Sequence, residues 1–147
     1  MTIRRIIGAD VIDLRHAVLR EGLPRETAIF PGDDDPNARH YGAFDNGLLI
    51  GCVTLHPSKW QALPAFQLRG MAVVPDLRSR GIGQAMIEFL ERDLRHGPIR
   101  QLWCNARVPA ANFYRRLGWQ IVSEMFEIPT AGPHVKMTRT LPHAYSS

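Results

Sequence analysis

The 147-residue sequence has few cysteines and no long apolar run. Its two cysteines, Cys52 and Cys104, are too few for a disulfide framework, and both lie in apolar, strand-like runs. We expect buried, reduced thiols, which suits a reducing cytoplasm. No apolar run approaches the roughly 20 residues that a membrane span needs, and residues 1–7 lack the apolar stretch of a secretory signal. The prediction is a soluble, cytoplasmic protein without a membrane partner.

Lysine is also scarce, so the positive charge comes from arginine. Lysine occurs only at Lys59 and Lys136, yet the formal net charge is +4. Arginine is the better bidentate partner for phosphate, which makes an anionic ligand plausible. No run of five basic residues occurs, and aromatic residues do not alternate with basic ones. Nucleic acid is therefore not expected as a partner.

The hydrophobic pattern predicts one mixed α/β domain over residues 1–147. Predicted helices cover residues 11–20, 81–96 and 109–116. Predicted strands cover residues 2–7, 40–44, 48–55, 66–74, 99–105, 119–127 and 135–140. Residues 21–37 are predicted to be loop or broken helix, because they are rich in Gly, Pro and Asp.

Local signals set several of these boundaries. Asp10 can cap the first helix, and Asp45-Asn46-Gly47 is a tight-turn sequence between two strands. Prolines predict a loop at residues 56–65, and Gly132-Pro133 predicts a turn between the last two strands. A right-handed crossover makes the strands on either side of the central helix parallel.

The turn before the central helix has the parts of a phosphate cradle. It reads Arg78-Ser79-Arg80-Gly81-Ile82-Gly83. Free amides at a helix start and the helix dipole attract anions, and the glycines leave the backbone accessible. A tight turn with solvated arginines is the alternative. The dinucleotide fingerprint is excluded because Met86 stands where a glycine is needed, and the P-loop pattern is absent.

The turn is one of several segments that share an order and spacing. These are Met71-Ala72-Val73-Val74-Pro75, residues 78–83, Trp103-Cys104-Asn105, Ala111-Asn112-Phe113-Tyr114 and Leu117-Gly118-Trp119. In this order they resemble the GNAT N-acetyltransferase superfamily over about residues 48–140. The resemblance implies a mixed, splayed sheet of about six or seven strands with about four helices. It also implies acetyl-CoA as co-substrate and a primary amine, on a small molecule or peptide, as acceptor.

The resemblance assigns the co-substrate site residue by residue. The backbone of Met71, Ala72 and Val73 would bind the pantetheine arm and stabilise the oxyanion. The amides of Ser79, Arg80, Gly81, Ile82, Gly83 and Gln84 would bind the pyrophosphate, with Arg78 and Arg80 as side-chain contacts. Asn105 and Asn112 would contact the pantetheine or its phosphates, although turn and cap roles are equally open for both.

Tyr114 is the catalytic candidate that the resemblance implies, as the acid that protonates the leaving thiolate. The general base is left open among His134, Glu124, Glu127, His40 and ordered water. Arg69 is either a partner for a substrate carboxylate or part of a buried ion pair. Cys104 is expected to be a packed thiol, and no metal site is expected because no ligand spacing is present.

Several alternatives remain at this stage. One is a non-catalytic acyl-CoA sensor on the same fold, and a less favoured one is a basic nucleic-acid-binding domain. The acidic run Asp33-Asp34-Asp35 either attracts a cationic amine or is a solvated loop, which is favoured. The oligomeric state is open, with a homodimer as one alternative.

Overall fold

One mixed sheet runs through the structure, a computed structural model that describes residues 1–142. The last five residues of the predicted domain lie outside this range. In chain order, the strands and helices are β1 (Thr2–Ile6), α1 (Gly8–Leu19), β2 (Arg39–Asp45), β3 (Leu48–Trp60), β4 (Leu63–Val73), α2 (Ile82–Leu94), β5 (Gln101–Arg107), α3 (Ala111–Arg116), β6 (Gln120–Ile121), β7 (Phe126–Ile128) and β8 (Gly132–Thr140). Single turns of 3-10 helix lie at Arg25–Ala28, Pro75–Leu77 and Val108–Ala110.

The eight strands follow the order β1-β2-β3-β4-β5-β8-β6, and β7 also pairs with β8. Among the strands of residues 1–142, only β4 and β5 pair in parallel, as the predicted crossover through α2 requires. The short β6 and β7 lie one after the other along β8, so the sheet has the predicted breadth. The described residues contain three α-helices rather than about four, because residues 21–37 form only one 3-10 turn.

Helices cover both faces of the sheet. On one face, α2 buries Met86, Ile87 and Leu90 completely against the sheet. On the other face, α1 packs Val11 and Ile12 against the sheet in a smaller cluster. Burying each such side chain contributes about 1.5–3 kcal/mol, so the amphipathic pattern that predicts α2 also explains its position. No helix within residues 1–142 is long and apolar enough to cross a membrane.

The hairpin between β3 and β4 corrects the predicted loop at residues 56–65. Both strands continue to a two-residue turn at Gln61 and Ala62, whose φ values of 50° and 67° are left-handed. The residue pair that closes this turn is hydrogen-bonded, and hydrogen-bonded and non-hydrogen-bonded pairs alternate along the two strands from there. Pro57 and Pro64 both lie in non-hydrogen-bonded pairs. Neither proline therefore removes a bond between these two strands, and the turn has no glycine that would reveal it.

Three other boundaries also differ from the prediction. Asp10 lies inside α1, where its carboxylate accepts a hydrogen bond from the Ile7 amide at 3.3 Å. Gly132 begins β8, and the turn before it closes through a hydrogen bond from the Ala131 amide to the Ile128 carbonyl. The strand predicted at residues 119–127 is interrupted between β6 and β7. The predicted hairpin turn at residues 45–47 is confirmed.

Candidate active site

The central parallel strands diverge, and this divergence opens the middle of the sheet. The ladder between β4 and β5 contains only the pairs Phe66–Leu102 and Gln67–Trp103. Beyond Gln67, the edge of β4 that faces β5 has no strand partner within residues 1–142. Backbone N–H and C=O groups on this edge are free to bind an extended ligand as a strand would.

A β-bulge at Gly70 lies at this divergence. Cys52 pairs with Ala72 and Thr54 with Arg69, so Gly70 and Met71 together face one residue of β3. Gly70 has a φ of 66°, the left-handed conformation that glycine adopts in such a bulge. A Cβ at this position would lie 2.8 Å from Nε of Arg15, so the close packing also requires glycine. A bulge bends its strand and increases its twist, which is consistent with the separation of β4 from β5.

A cleft of about 810 Å³ lies between β4, the turn before α2, and α3, and is called the loop cleft below. It is lined by most of the residues predicted for the co-substrate, namely Met71, Ala72, Val73, Arg78, Ser79, Gly81, Ile82, Gly83 and Gln84. In the turn, Ser79 and Gly81 have left-handed φ values of 65° and 80°. Left-handed residues in a turn at a helix start are typical of backbone that gathers amides into an anion-binding nest, the role predicted for this turn.

Three predicted co-substrate residues lie elsewhere. Arg80 and Asn112 are exposed and line neither the loop cleft nor the cavity described next. Asn105 lines that second cavity, and its Oδ1 accepts a hydrogen bond of 3.0 Å from Lys136. Gly83 lines the loop cleft, and a Cβ there would lie 3.2 Å from the Phe113 ring, so packing against Phe113 also favours glycine.

A second cavity of about 350 Å³, the sheet cavity, occupies the gap between β4 and β5. Leu19 and Met71 line both it and the loop cleft, so the two spaces adjoin there. Tyr114 and His134 line the sheet cavity from α3 and β8. Two candidates for proton transfer, predicted from separate segments, therefore face the same space next to the loop cleft.

The hydrogen bonding of His134 fixes a useful tautomer. Its Nδ1 lies 2.8 Å from the Gly132 carbonyl oxygen, which can only accept, so Nδ1 carries the proton. In the neutral ring, Nε2 then holds the lone pair that a general base needs. By contrast, Glu124 and Glu127 are exposed and do not line the sheet cavity. Both ring nitrogens of buried His40 are already bonded, to Thr54 and to the Asp33 carbonyl.

Burial determines the protonation state of Tyr114 and of Cys104. Desolvation, with a smaller contribution from Cys104, raises the pKa of Tyr114 well above its ordinary value. The phenol therefore stays protonated and serves as a hydrogen-bond donor rather than a base. Burial raises the pKa of the Cys104 thiol to about 12, which supports the prediction of a packed thiol. No group of three or more His, Cys, Asp or Glu residues that could hold a metal occurs within residues 1–142.

Arginine lines one end of the sheet cavity. Arg69 is half-buried, with its guanidinium carbon 4.5 Å from the centre of the Phe30 ring. Burial, and then the positive charges of Arg15 and Arg20, lower the pKa of Arg69 below its ordinary value. Arg69 has no ion pair among the described residues, which removes the buried-pair alternative within that range.

Phe30 is held in this position by a buried ion pair that the sequence pattern did not predict. Arg15 is fully buried and pairs with Asp33 through bonds of 2.6 and 3.1 Å. Asp33 also accepts hydrogen bonds from His56 and from the Phe30 amide, each 2.8 Å long. Asp33 is thus a structural residue, not the solvated one expected from the acidic run. The sequence separation of 18 residues between the two partners leaves no local signal.

The sequence also missed Phe113, Arg116 and Leu117 as lining residues of the loop cleft. They lie on or directly after α3 and share the segment from which Tyr114 was predicted. Gly70 was missed too, although an isolated glycine in an apolar strand is a recognised signal of a bulge.

Comparison with known proteins identifies the family of the chain. Residues 36–121 match the family model of the acetyltransferase (GNAT) domain. The uncharacterized N-acetyltransferase YitI of Bacillus subtilis is 31% identical over 144 residues, which is 96% of this chain and 97% of that protein.

Solved structures share the fold at lower identity. Escherichia coli ElaA superimposes with a TM-score of 0.77 at 22% identity, covering 95% of this chain and 99% of that one. An aminoglycoside 6'-N-acetyltransferase complexed with coenzyme A also gives a TM-score of 0.77, at 17% identity, covering 97% of this chain and 98% of that one. These two likenesses show the mixed α/β architecture.

Proposed function

The chain belongs to the GNAT acetyltransferase family, and from that premise we propose that it transfers acetyl from acetyl-CoA to a primary amine by direct attack. The observation that carries the proposal is the meeting of two cavities at Met71. One is bordered by an anion-binding nest, and the other by Tyr114 and His134. A thioester held at the junction would be accessible to an amine in the sheet cavity.

The loop cleft fits the co-substrate. The amides from Ser79 to Gln84 would hold the pyrophosphate at the start of α2, assisted by the side chains of Arg78 and Arg116, which line the cleft. The unpaired edge of β4 would bind the pantetheine arm, and an amide near Met71 would stabilise the oxyanion. The Arg80 side chain as a pyrophosphate contact, and Asn112 as a contact of the pantetheine or its phosphates, stay predictions.

In the reaction, the neutral amine nitrogen attacks the thioester carbonyl carbon, and the tetrahedral intermediate then breaks its C–S bond. His134 Nε2 accepts the proton that the nitrogen loses, directly or through water. The sulfur leaves with the electron pair as a thiolate, and the proton that His134 accepted passes to it, directly or through solvent. Tyr114 donates a hydrogen bond to it, because a phenol with a raised pKa stabilises the thiolate better than it protonates it.

Transfer of labelled acetyl to a broad panel of primary amines tests the proposal. We expect label in at least one amide product, and Tyr114→Phe should lower kcat by about 10- to 100-fold, the loss of one hydrogen bond to a charged group, with unchanged affinity for acetyl-CoA. Tyr41→Phe is the matched control, because the Tyr41 hydroxyl is bonded to Asp93 away from both cavities. It should lose stability but keep its turnover.

Acetyl-CoA binding without transfer to any amine would contradict the proposal and favour the acyl-CoA sensor. Unchanged turnover in Tyr114→Phe would remove the role of the phenol. Three further points stay predictions, namely that the acceptor is a small molecule or peptide, that the protein is cytoplasmic and that it forms a homodimer.

A further inference from the structure

The side chains of the sheet cavity carry charge of one sign only. Arg20, Arg69 and Arg107 line it, and its lining includes neither aspartate nor glutamate. The acceptor in the proposed reaction would occupy this cavity. A polyamine or another acceptor with several positive charges would be repelled by such a wall, whereas a negatively charged group would be attracted.

Two of these arginines converge on one aromatic ring without an ion pair in the described part of the chain. The guanidinium carbons of Arg69 and Arg20 lie 4.5 and 5.2 Å from the centre of the Phe30 ring. Arg20 donates one hydrogen bond, to the carbonyl of its neighbour Leu19, and neither side chain has an ion pair within residues 1–142. The ring attracts both cations through its π face but cannot neutralise them.

Arg15, the third arginine at this ring, has a carboxylate partner, although its Nε has no hydrogen-bond partner among the described residues. Its carbon lies 4.0 Å from the ring centre, and its two terminal nitrogens bind the Asp33 carboxylate. Asp33 already binds Arg15, His56 and the Phe30 amide, so it is not the missing partner of Arg69. A carboxylate supplied from the cavity would complete the same pairing for Arg69.

We infer that the acceptor is a small amine that also carries a carboxylate, which Arg69 and Arg20 bind beside Phe30. The inference rests on the proposed function, because it names the acceptor of that reaction. A cavity of about 350 Å³ has the size of a small-molecule site. With its carboxylate held there, the acceptor would place its amine in the same cavity, which adjoins the loop cleft at Met71.

Binding of paired ligands tests the inference without requiring turnover. The probes are N-acetyl amino acids and their C-terminal amides, measured by calorimetry on the CoA-saturated protein. The wild type should bind the carboxylate member about 10- to 100-fold more tightly, as expected for a charged hydrogen-bonded pair. Arg69→Gln and Arg20→Gln should each reduce this preference, and Arg69→Lys should retain part of it.

Arg92→Gln is the matched control, because Arg92 is an exposed arginine of α2 that lines neither cavity. It should keep the full preference. Equal affinity of the wild type for acid and amide, or a stronger preference for an amine phosphate ester, would overturn the inference. The wild-type comparison decides this even if an Arg69 variant fails to fold.

Acetyl transfer to the matching free amino acids and amides separates the two proposals. Carboxylate-selective binding without any transfer would contradict the proposed function and leave the carboxylate site standing. Efficient transfer to amides and diamines, with no gain from a carboxylate, would support the function and overturn the carboxylate site.

Discussion

Ser79 and Gly81 both have a left-handed backbone conformation in the turn before α2, but the free energy that this conformation costs differs between them. Gly81, with a φ of 80°, has no Cβ and adopts it freely. Ser79, with a φ of 65°, has a Cβ that is crowded by the backbone. A non-glycine residue persists in this conformation only when its surroundings impose it, and such strain concentrates at ligand-binding sites.

Gly81→Ala should separate the strain of this turn from its binding role. A Cβ at Gly81 would meet nothing within 4 Å, so the variant should lose only about 1–2 kcal/mol of unfolding free energy from its backbone conformation. We expect the backbone to relax away from the left-handed conformation, which turns the amides of the turn away and lowers acetyl-CoA affinity. Denaturant unfolding and calorimetry with acetyl-CoA measure the two effects.

Gly22→Ala is the control for this variant. Gly22 has the same φ of 80° and equally open surroundings, but it lies outside the loop cleft. It should lose similar stability and keep full acetyl-CoA affinity. A Gly81→Ala protein with normal affinity would mean that the nest does not hold the pyrophosphate.

At the scale of elements, the bulge in β4 connects strand geometry to the cavity. Gly70 packs against Arg15 and Phe30, which belong to α1 and to the loop that follows it. Gly70 thus sets the bend of β4 and also allows Arg15 and Phe30 to pack closely against this strand. Because the contact joins three separate segments, a change at Gly70 should affect all of them.

Gly70→Ala should therefore be more damaging than an ordinary glycine substitution. The left-handed φ costs about 1–2 kcal/mol, and overpacking against Arg15 adds about 1–3 kcal/mol. Gly47→Ala, at a φ of 79° in the open hairpin turn, should show only the first cost. Equal unfolding free energies for the two variants would contradict the close packing described for the bulge.

The elements that could be predicted are those with local signals. The spacing of apolar residues gave α2, and Asp45-Asn46-Gly47 gave the first hairpin turn. The β3–β4 turn at Gln61 and Ala62 could not be predicted, because neither residue type signals a left-handed turn. At the site, the turn at residues 78–83 lies within one segment, so a prediction could be made for it. Arg20 and Arg69 are brought together at Phe30 only by contacts between distant segments.

At the scale of the whole molecule, Asp33 joins α1, the loop that carries Phe30, and β3. It binds Arg15 and His56, while Arg15 also donates to Thr54 at 2.8 Å. Burial alone would raise the pKa of Asp33, but hydrogen bonds from His56, Arg15 and the Phe30 amide lower it well below its ordinary value. The ionised carboxylate is therefore part of the folded structure.

Acid should weaken the fold through this carboxylate. Below the ordinary pKa of 3.8, the unfolded chain binds a proton at Asp33 that the folded protein does not. Its contribution to stability is thus complete above that pH and is lost as the pH falls toward the lowered folded pKa. Unfolding free energy measured at pH 7, 5 and 3.5 should decline over the last interval.

Asp33→Asn should abolish this part of the acid dependence. It should also lower the unfolding free energy at pH 7 by about 3–5 kcal/mol, because it leaves the Arg15 guanidinium buried without its counter-ion. Asp34→Asn, an exposed neighbour, is the control and should leave both the stability and its pH dependence nearly unchanged. An acid response in Asp33→Asn equal to that of the wild type would contradict this account.

The loop cleft and the sheet cavity adjoin at Leu19 and Met71, but they are built from different parts of the chain. The nest consists of backbone amides, which most side-chain replacements leave in place. The cationic end of the sheet cavity consists of side chains that a single codon change can replace. Acceptor choice should therefore diverge quickly among descendants of this protein while use of the same donor persists, and redesign for a new amine can begin at Arg69 without disturbing the turn before α2.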